Sequence, residues 1–176
     1  GESLLPLGIP FLEQLGVRED VELIGLRKYA AEFHSVYHGR STTFEFGDAM
    51  KRDYPYAYEV RRSEFDHVLL QNAVRKGVAV YEGCRVDSAE LNGDGIGTIS
   101  AIHESGERDT WQARFYIDAT GRDTFMADFL GVKERNPRHR SAALYAHFEG
   151  AQRETGRDEG NICIYWFDHG WYWYIP

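Results

Sequence analysis

The segment Trp171-Tyr172-Trp173-Tyr174-Ile175-Pro176 restricts the fold of this chain more tightly than any other. Residues two apart on a strand share a face, so both indoles project the same way. Trp is too large to be fully buried often, and here two of the chain's four tryptophans stand side by side. The proline then ends the strand, because it has no N–H to give to a sheet ladder. The run therefore reads as a strand that presents a wall of indole to one side.

The rest of the composition sets broad limits. The chain has 176 residues, 43% hydrophobic and 27% charged, which is about one globular domain. A net charge of -8 argues against a nucleic-acid-binding surface. No apolar run approaches the roughly 20 residues needed to span a bilayer, and no signal-peptide pattern is present. We expect a cytoplasmic protein with no membrane partner. Cys84 and Cys163 lie outside any C-x-x-C pattern, and two free thiols are expected. His34 and His38 are four apart, but their segment alternates like a strand and lacks a third ligand, so no metal is expected.

Along the chain, residues 7–16 have apolar positions at helical spacing and end at Gly16. Residues 29–38 and 42–46 alternate as two strands of a hairpin about Gly39-Arg40-Ser41. Residues 48–58 read as an irregular connection. Ser63 to Lys76 is the clearest helix, with Ser63 as its cap and Gly77 as its stop. Val78–Tyr81 reads as a short buried strand. Three strands near 84–91, 97–103 and 110–117 form an antiparallel meander, and the last, Ala113–Asp118, runs into Ala119-Thr120-Gly121. A short helix at 123–131 and strands at 141–149, 161–167 and 171–175 complete the order. The fold class is mixed α/β, with too few alternating units for a self-sufficient doubly wound domain.

Gly93-Asp94-Gly95-Ile96-Gly97 looks at first like a dinucleotide fingerprint. That fingerprint needs G-x-G-x-x-G opening into a helix, so that a pyrophosphate meets the helix N-terminus. Position 98 is Thr and a strand follows, so these glycines are assigned to a hairpin turn.

Four motifs stand in a particular order: Gly1-Glu2-Ser3-Leu4-Leu5-Pro6, Arg62-Ser63-Glu64-Phe65-Asp66, Asp118-Ala119-Thr120-Gly121-Arg122, and W-x-W-x-I-P. Together they resemble the flavin-dependent halogenases that act on phenols and pyrroles, some with the substrate tethered to a carrier protein. The R-x-x-F-D and A-T-G-R pieces are shared by many flavoproteins, whereas W-x-W-x-I-P is the piece associated with halogenases. The resemblance covers essentially the whole chain. It implies a glutathione-reductase-like FAD-binding fold with an antiparallel meander and a substrate-side sheet. Residues 1–131 would belong to the FAD-binding region, with 25–58 contributing to the substrate side, and 132–176 would begin the substrate-side sheet.

For the cofactor, the resemblance implies contacts from Glu2, Ser3, Arg62, Val86, Asp118, Ala119, Thr120, Gly121 and Arg122. The chemistry is compatible: a guanidinium at a helix start suits a pyrophosphate, and small residues let a backbone approach a ligand closely. Glu2 and Ser3, being terminal, are candidates for fraying.

For catalysis, similar sequences use reduced flavin, oxygen and halide to make hypohalous acid, which a lysine hydrogen-bonds or takes up as a haloamine. The matching stretch is Lys28-Tyr29-Ala30-Ala31-Glu32-Phe33, with Ala30 where the family pattern K-x-G-x-x-F has glycine. A lysine suits this task because it is a compact cation whose pKa shifts readily on burial. Lys51, Lys76 and Lys133 lie in polar or exposed settings. Trp171 and Trp173 would keep substrate from the flavin, and Ile175 with Pro176 would hold their strand in place. An ordinary aromatic core strand is the competing reading, which Tyr165, Trp166 and Phe167 next door support.

The resemblance further implies a G-x-G-x-x-G unit before Gly1, more chain after Pro176, and a separate flavin reductase as partner. The alternatives are a related FAD-dependent monooxygenase or reductase, and a non-catalytic domain with an aromatic cleft. Titration of the chain with FAD, followed by flavin fluorescence, is expected to show no tight stoichiometric binding despite a folded circular-dichroism spectrum. Tight binding would overturn the expectation that a phosphate loop lies elsewhere.

Overall fold

The computed structural model describes residues 1–49, 53–93, 95–138 and 141–176. It divides into two compact units, Gly1–Val80 with Phe148–Pro176, and Tyr81–His147. Lys51 and part of the expected 48–58 connection lie outside the described residues.

The first unit begins with a single 3-10 turn, Pro6–Gly8, and helix α1, Ile9–Leu15. Gly16 stops α1 in the left-handed conformation, φ 75°. Its N–H donates to the Glu13 carbonyl at 3.0 Å and that of Val17 to the Leu12 carbonyl at 2.9 Å, a Schellman ending that needs glycine. Helix α2, Arg18–Ile24, follows with Glu19 and Asp20 in its first turn, where the helix dipole favours acids. Strand β1, Leu26–Lys28, is joined by a second sheet of strands described below and then by β4, Ala57–Glu59, which pairs with it antiparallel. This corrects the expected connection over 48–58: three residues are too few for alternation to show, and their pairing makes them a strand.

The Glu2–Leu4 segment lies along the other edge of β4 rather than fraying. Leu4 N–H donates to the Tyr58 carbonyl at 2.9 Å, and Val60 N–H to the Glu2 carbonyl at 2.8 Å. Helix α3, Arg62–Arg75, starts one residue earlier than expected. Extended Arg61 occupies the N-cap, with no side-chain cap bond, so Ser63 sits inside the first turn and does not cap. Gly77, φ 86°, follows the helix. The Val78 amide donates back to the Ala73 carbonyl at 3.0 Å, so it is spent on the helix end, and Val78–Tyr81 forms no strand. Ile9, Leu12, Val17, Val21, Tyr58 and Val60 make the buried core of this unit, with Phe65, Val68 and Leu69 of α3 packed on it.

The second sheet of this unit has the order β3-β2-β8-β9. Strands β2, Ala30–Ser35, and β3, Arg40–Glu45, form the expected hairpin. Its turn lies at 36–39, because Arg40 and Ser41 already pair with Ser35 and His34. Strand β8, Ile162–Phe167, runs parallel to β2, and β9, Gly170–Tyr174, runs antiparallel to β8. Asn161 welds this junction: its Oδ1 accepts from the Tyr29 and Ala30 amides at 3.2 and 3.0 Å. The segment expected as a strand at 141–149 is not one.

The second unit holds the expected meander. Strands β5, Cys84–Asn92, β6, Gly95–His103, and β7, Arg108–Trp111, pair in sequence order. Asn92 pairs with Gly95, so a hairpin lies where expected, but Gly95 and Gly97 stand in β6 and not in its turn; Asp94 itself lies outside the described residues. β7 stops at Trp111, so Ala113–Asp118 is not the strand expected. The Tyr116 hydroxyl folds this segment back, accepting from the Ala113 amide at 2.9 Å and donating to the Trp111 carbonyl at 3.2 Å. Strands exist only as pairs, and no described strand pairs with 113–118 or 141–149. Helix α4, Phe125–Phe129, is shorter than the expected 123–131 and is followed by Gly131 at φ 65°.

A methyl group added at Gly160 would lie 2.2 Å from the Arg27 carbonyl oxygen, whereas one at Gly8 would meet nothing within 4 Å. Gly160→Ala is therefore expected to cost about 1–3 kcal/mol of stability by overpacking against backbone. Gly8→Ala, at φ -78° and ψ -25°, should be neutral or stabilising by up to about 1 kcal/mol. Urea midpoints for the two variants check the contrast.

Candidate active site

Lys28 is the last residue of β1 and Glu59 the last of β4. In the antiparallel register Lys28 pairs with Ala57 and Glu59 with Leu26, so both polar side chains fall on one face of the ribbon. Their side chains are 0% and 3% exposed, and Lys28 Nζ donates to Glu59 Oε1 at 2.9 Å. Ser3 completes the group through a β-bridge opposite Glu59. Its hydroxyl accepts from Lys28 Nζ and donates to Glu59 Oε1, the latter at 3.1 Å.

The electrostatics follow from burial. Loss of water pushes the Lys28 ammonium down from the usual lysine range, against the opposing pull of Glu59. Burial likewise pushes the Glu59 carboxyl up, against Lys28 and the Ser3 bond. Both bonds to Glu59 fall on Oε1, and Oε2 is buried without a hydrogen-bond partner among the described residues. The result is an amine held in place, dry, and more easily deprotonated than a surface lysine. Glu59 gives no signal in a sequence of this kind, because nothing local marks Ala57-Tyr58-Glu59 as the partner strand of Leu26–Lys28.

The cofactor candidates divide between the units. Arg62, in the first turn of α3, is half-exposed and makes a two-point ion pair with Asp66 at 3.0 and 2.9 Å. That pair, above all, raises its pKa further. A guanidinium has a second edge of donors, so the pair with Asp66 leaves capacity for a phosphate. Glu2 lies close enough to Arg62 to add to its cationic character.

In the other unit, Asp118, Ala119, Thr120, Gly121 and Arg122 form an exposed turn. Asp118 is spent on shaping it: the carboxylate accepts from Thr120 N–H at 3.0 Å, Thr120 Oγ1 at 2.6 Å and Met126 N–H at 2.8 Å. Those bonds hold its pKa below the usual carboxylate range. Gly121 sits at φ 64° with open space where a side chain would be. Thr124, missed in the sequence, is left-handed at φ 51°, and its Oγ1 is buried with no partner among the described residues. Such strain of about 1–3 kcal/mol persists where the surroundings enforce it, often at ligand sites. An open glycine turn beside an orphaned hydroxyl fits a bound phosphate or ribose. Val86 lies on β5 at a register shift between Val86 and Ser88, and such bulges free backbone groups from the ladder.

The indole pair lies on β9. Trp171 pairs with Trp166 and Trp173 with Ile164, so these side chains share a face with Phe33 of β2, which pairs with Ile164. The rings of Trp171 and Trp173 are 4.9 Å apart at their centroids and about half exposed. They form an open wall and are not buried as core. On the β2–β3 side of this sheet, Phe33, Phe44, Trp166, His38 and Arg40 line a groove of about 480 Å³. Ile175 and Pro176 follow β9 directly and are partly buried.

Residues 11–176 match the tryptophan halogenase family. The chain belongs to that family. It is 33% identical to a tryptophan 2-halogenase of Chondromyces crocatus and 26% identical to a 1H-pyrrole-2-carbonyl-[peptidyl-carrier protein] chlorinase of Pseudomonas fluorescens. Both matches cover 100% of this chain, but only 33% and 44% of those relatives. Among solved structures, the myxobacterial chondrochloren halogenase, a variant of the FAD-dependent halogenases, superposes over the whole chain and 41% of its own length, with a TM-score of 0.81 at 30% identity. A flavoprotein/dehydrogenase from Cytophaga hutchinsonii superposes with a TM-score of 0.80 at 24% identity and shares the fold. The mixed α/β architecture is therefore that of the FAD-dependent halogenases.

Breaking a buried ion pair from one side costs about 3–5 kcal/mol, whereas replacing both members with apolar residues is often neutral. Lys28→Met and Glu59→Leu are each expected to destabilise on that scale, and the double variant to recover most of the loss. Urea unfolding of the four proteins measures the coupling. Glu59→Gln should move the Lys28 titration further down, since Glu59 is what pulls it up; NMR of the lysine side chain reads this directly.

Proposed function

We propose that this chain carries the lysine, the indole wall and part of the FAD site of a halogenase acting on an electron-rich aromatic ring. The substrate class is a phenol or a pyrrole, free or tethered to a carrier protein. The observation that carries the reading is the buried Lys28–Glu59–Ser3 group in a chain of this family. The pyrrole chlorinase of Pseudomonas fluorescens, whose named substrate is a carrier-bound pyrrole, supports the substrate class.

When bound, reduced FAD supplies the electrons with which oxygen and a halide ion yield hypohalous acid; a separate reductase delivers the reduced flavin. Within this chain, Lys28 Nζ hydrogen-bonds that acid or, once the ammonium has passed a proton to Glu59, takes its halogen: the N–halogen bond forms as the O–halogen bond breaks, and the hydroxyl leaves as water with a second nitrogen proton. Ser3 and Glu59 fix the amine, and Glu59 holds the proton that the amine gives up. Arg62 holds the pyrophosphate. The turn Asp118-Ala119-Thr120-Gly121-Arg122 offers its backbone to the cofactor, the Val86 backbone meets the adenine, and Glu2 borders the flavin side. Trp171 and Trp173 keep the aromatic ring from direct contact with the cofactor, with Ile175 and Pro176 holding their strand. On this reading 1–131 form mainly the cofactor side, while 25–58 and 132–176 build the substrate side. The aromatic groove lined by Phe33, Phe44 and Trp166 suits a flat, electron-rich ring.

The test uses the protein at the full length of its reading frame, with reduced FAD, oxygen, and chloride or bromide, against a panel of phenols and pyrroles. Halogenated product, identified by isotope pattern, is expected. Lys28→Ala should abolish that product while leaving FAD binding intact. Normal halogenation by this variant would remove the lysine from the chemistry. Hydroxylated product without halogen would instead identify a monooxygenase on the same fold.

A further inference from the structure

The face of the β3-β2-β8-β9 sheet opposite the indoles carries a group that the halogenase reading does not use. Glu32 and His34 alternate with Phe33 on β2, and Cys163 alternates with Ile164 on β8. The parallel register sets Glu32 beside Cys163 and His34 beside Tyr165, so Glu32, His34 and Cys163 point to the same side. His34 Nε2 lies 3.6 Å from Glu32 Oε2, and Cys163 Sγ lies 3.9 Å from the same oxygen. All three donor atoms fall within 4.8 Å of one another.

We propose that Glu32, His34 and Cys163 form a three-ligand zinc(II) site with a fourth position open to water. Bonds of about 2.0–2.3 Å in a tetrahedron put ligand atoms about 3.3–3.8 Å apart. The Glu32–His34 edge already lies in that range and the Glu32–Cys163 edge just beyond it, while the His34–Cys163 edge, within 4.8 Å, closes by up to about 1 Å. His34 Nε2 is buried and has no hydrogen-bond partner among the described residues, and it is aimed at this group. The imidazole is fixed by stacking on Tyr165, with centroids 4.5 Å apart and planes 13° apart. The other oxygen of Glu32 accepts from Asn161 Nδ2 at 3.4 Å, and such outer contacts orient ligating carboxylates. One nitrogen, one sulfur and one oxygen donor select a borderline ion of the zinc class over magnesium or calcium, which take oxygen ligands. On binding, the Cys163 thiol loses its proton to solvent and the thiolate bonds the metal, so the set adds two negative charges to offset the cation.

Cobalt(II) is the probe, because a thiolate bonded to it gives a near-ultraviolet charge-transfer band and tetrahedral cobalt absorbs strongly in the visible. Titration of the chain should give both bands with one equivalent, and zinc should erase them. Cys163→Ser should lose the charge-transfer band and His34→Ala the binding, with circular dichroism unchanged in each. Cys84→Ser is the control, since Cys84 lies 3.8 Å from His103; it should retain both bands. Absence of the bands, their survival in Cys163→Ser, or their loss in Cys84→Ser would each overturn the site. Halogenation is not needed for any of these readings, so the proposal stands or falls apart from the assigned activity.

Discussion

The buried pair of Lys28 and Glu59 governs this structure. Neither charge is tolerable alone away from water, so each demands that the other be present at the same depth. That requirement fixes the register of β1 against β4 and the place of Ser3 along the other edge of β4. It also bears on the neighbouring packing. Gly160 has no side chain, and its position against the Arg27 carbonyl brings the segment leading into β8 against the strand that bears the lysine. The apolar side of the same ribbon contributes Tyr58 to the core under α1, α2 and α3.

Burial of this pair costs stability that a well-packed apolar pair would not. A surface lysine near its usual pKa is a hydrated cation. Lys28 is stripped of water, held by two oxygens, and biased toward losing its proton, and the relay proposed above rests on those properties. The sheet that follows uses alternation to separate two environments. One face carries indole and phenyl rings, and the other carries Glu32, His34, Cys163 and a tyrosine stack of Tyr165 on Tyr172. A slip of one residue in register would exchange the two sets. Asn161, which clamps the Tyr29 and Ala30 amides beside the first residues of β8, guards against such a slip.

Much of this was readable from the residues. Local rules determined α1 and its glycine stop, α3, the hairpin near 93–97, the first two strands of the meander, and β8 and β9 with both indoles on one face, because each depends on periodicity or turn chemistry within a few neighbours. The Lys28 candidate came from a motif, and its burial beside Glu59 was not legible in the sequence. What the sequence could not decide was pairing. Ala57–Glu59 became a strand and Ala113–Asp118 and 141–149 did not, because a strand is defined by its partner and not by its own alternation. Glu59 as the partner of Lys28, and Cys163 as the third donor beside Glu32 and His34, lie 31 and 131 residues away from the groups they meet. Only the tertiary structure brings together residues so distant along the chain, since hydrogen bonding between strands carries no local signature of which strand will be chosen.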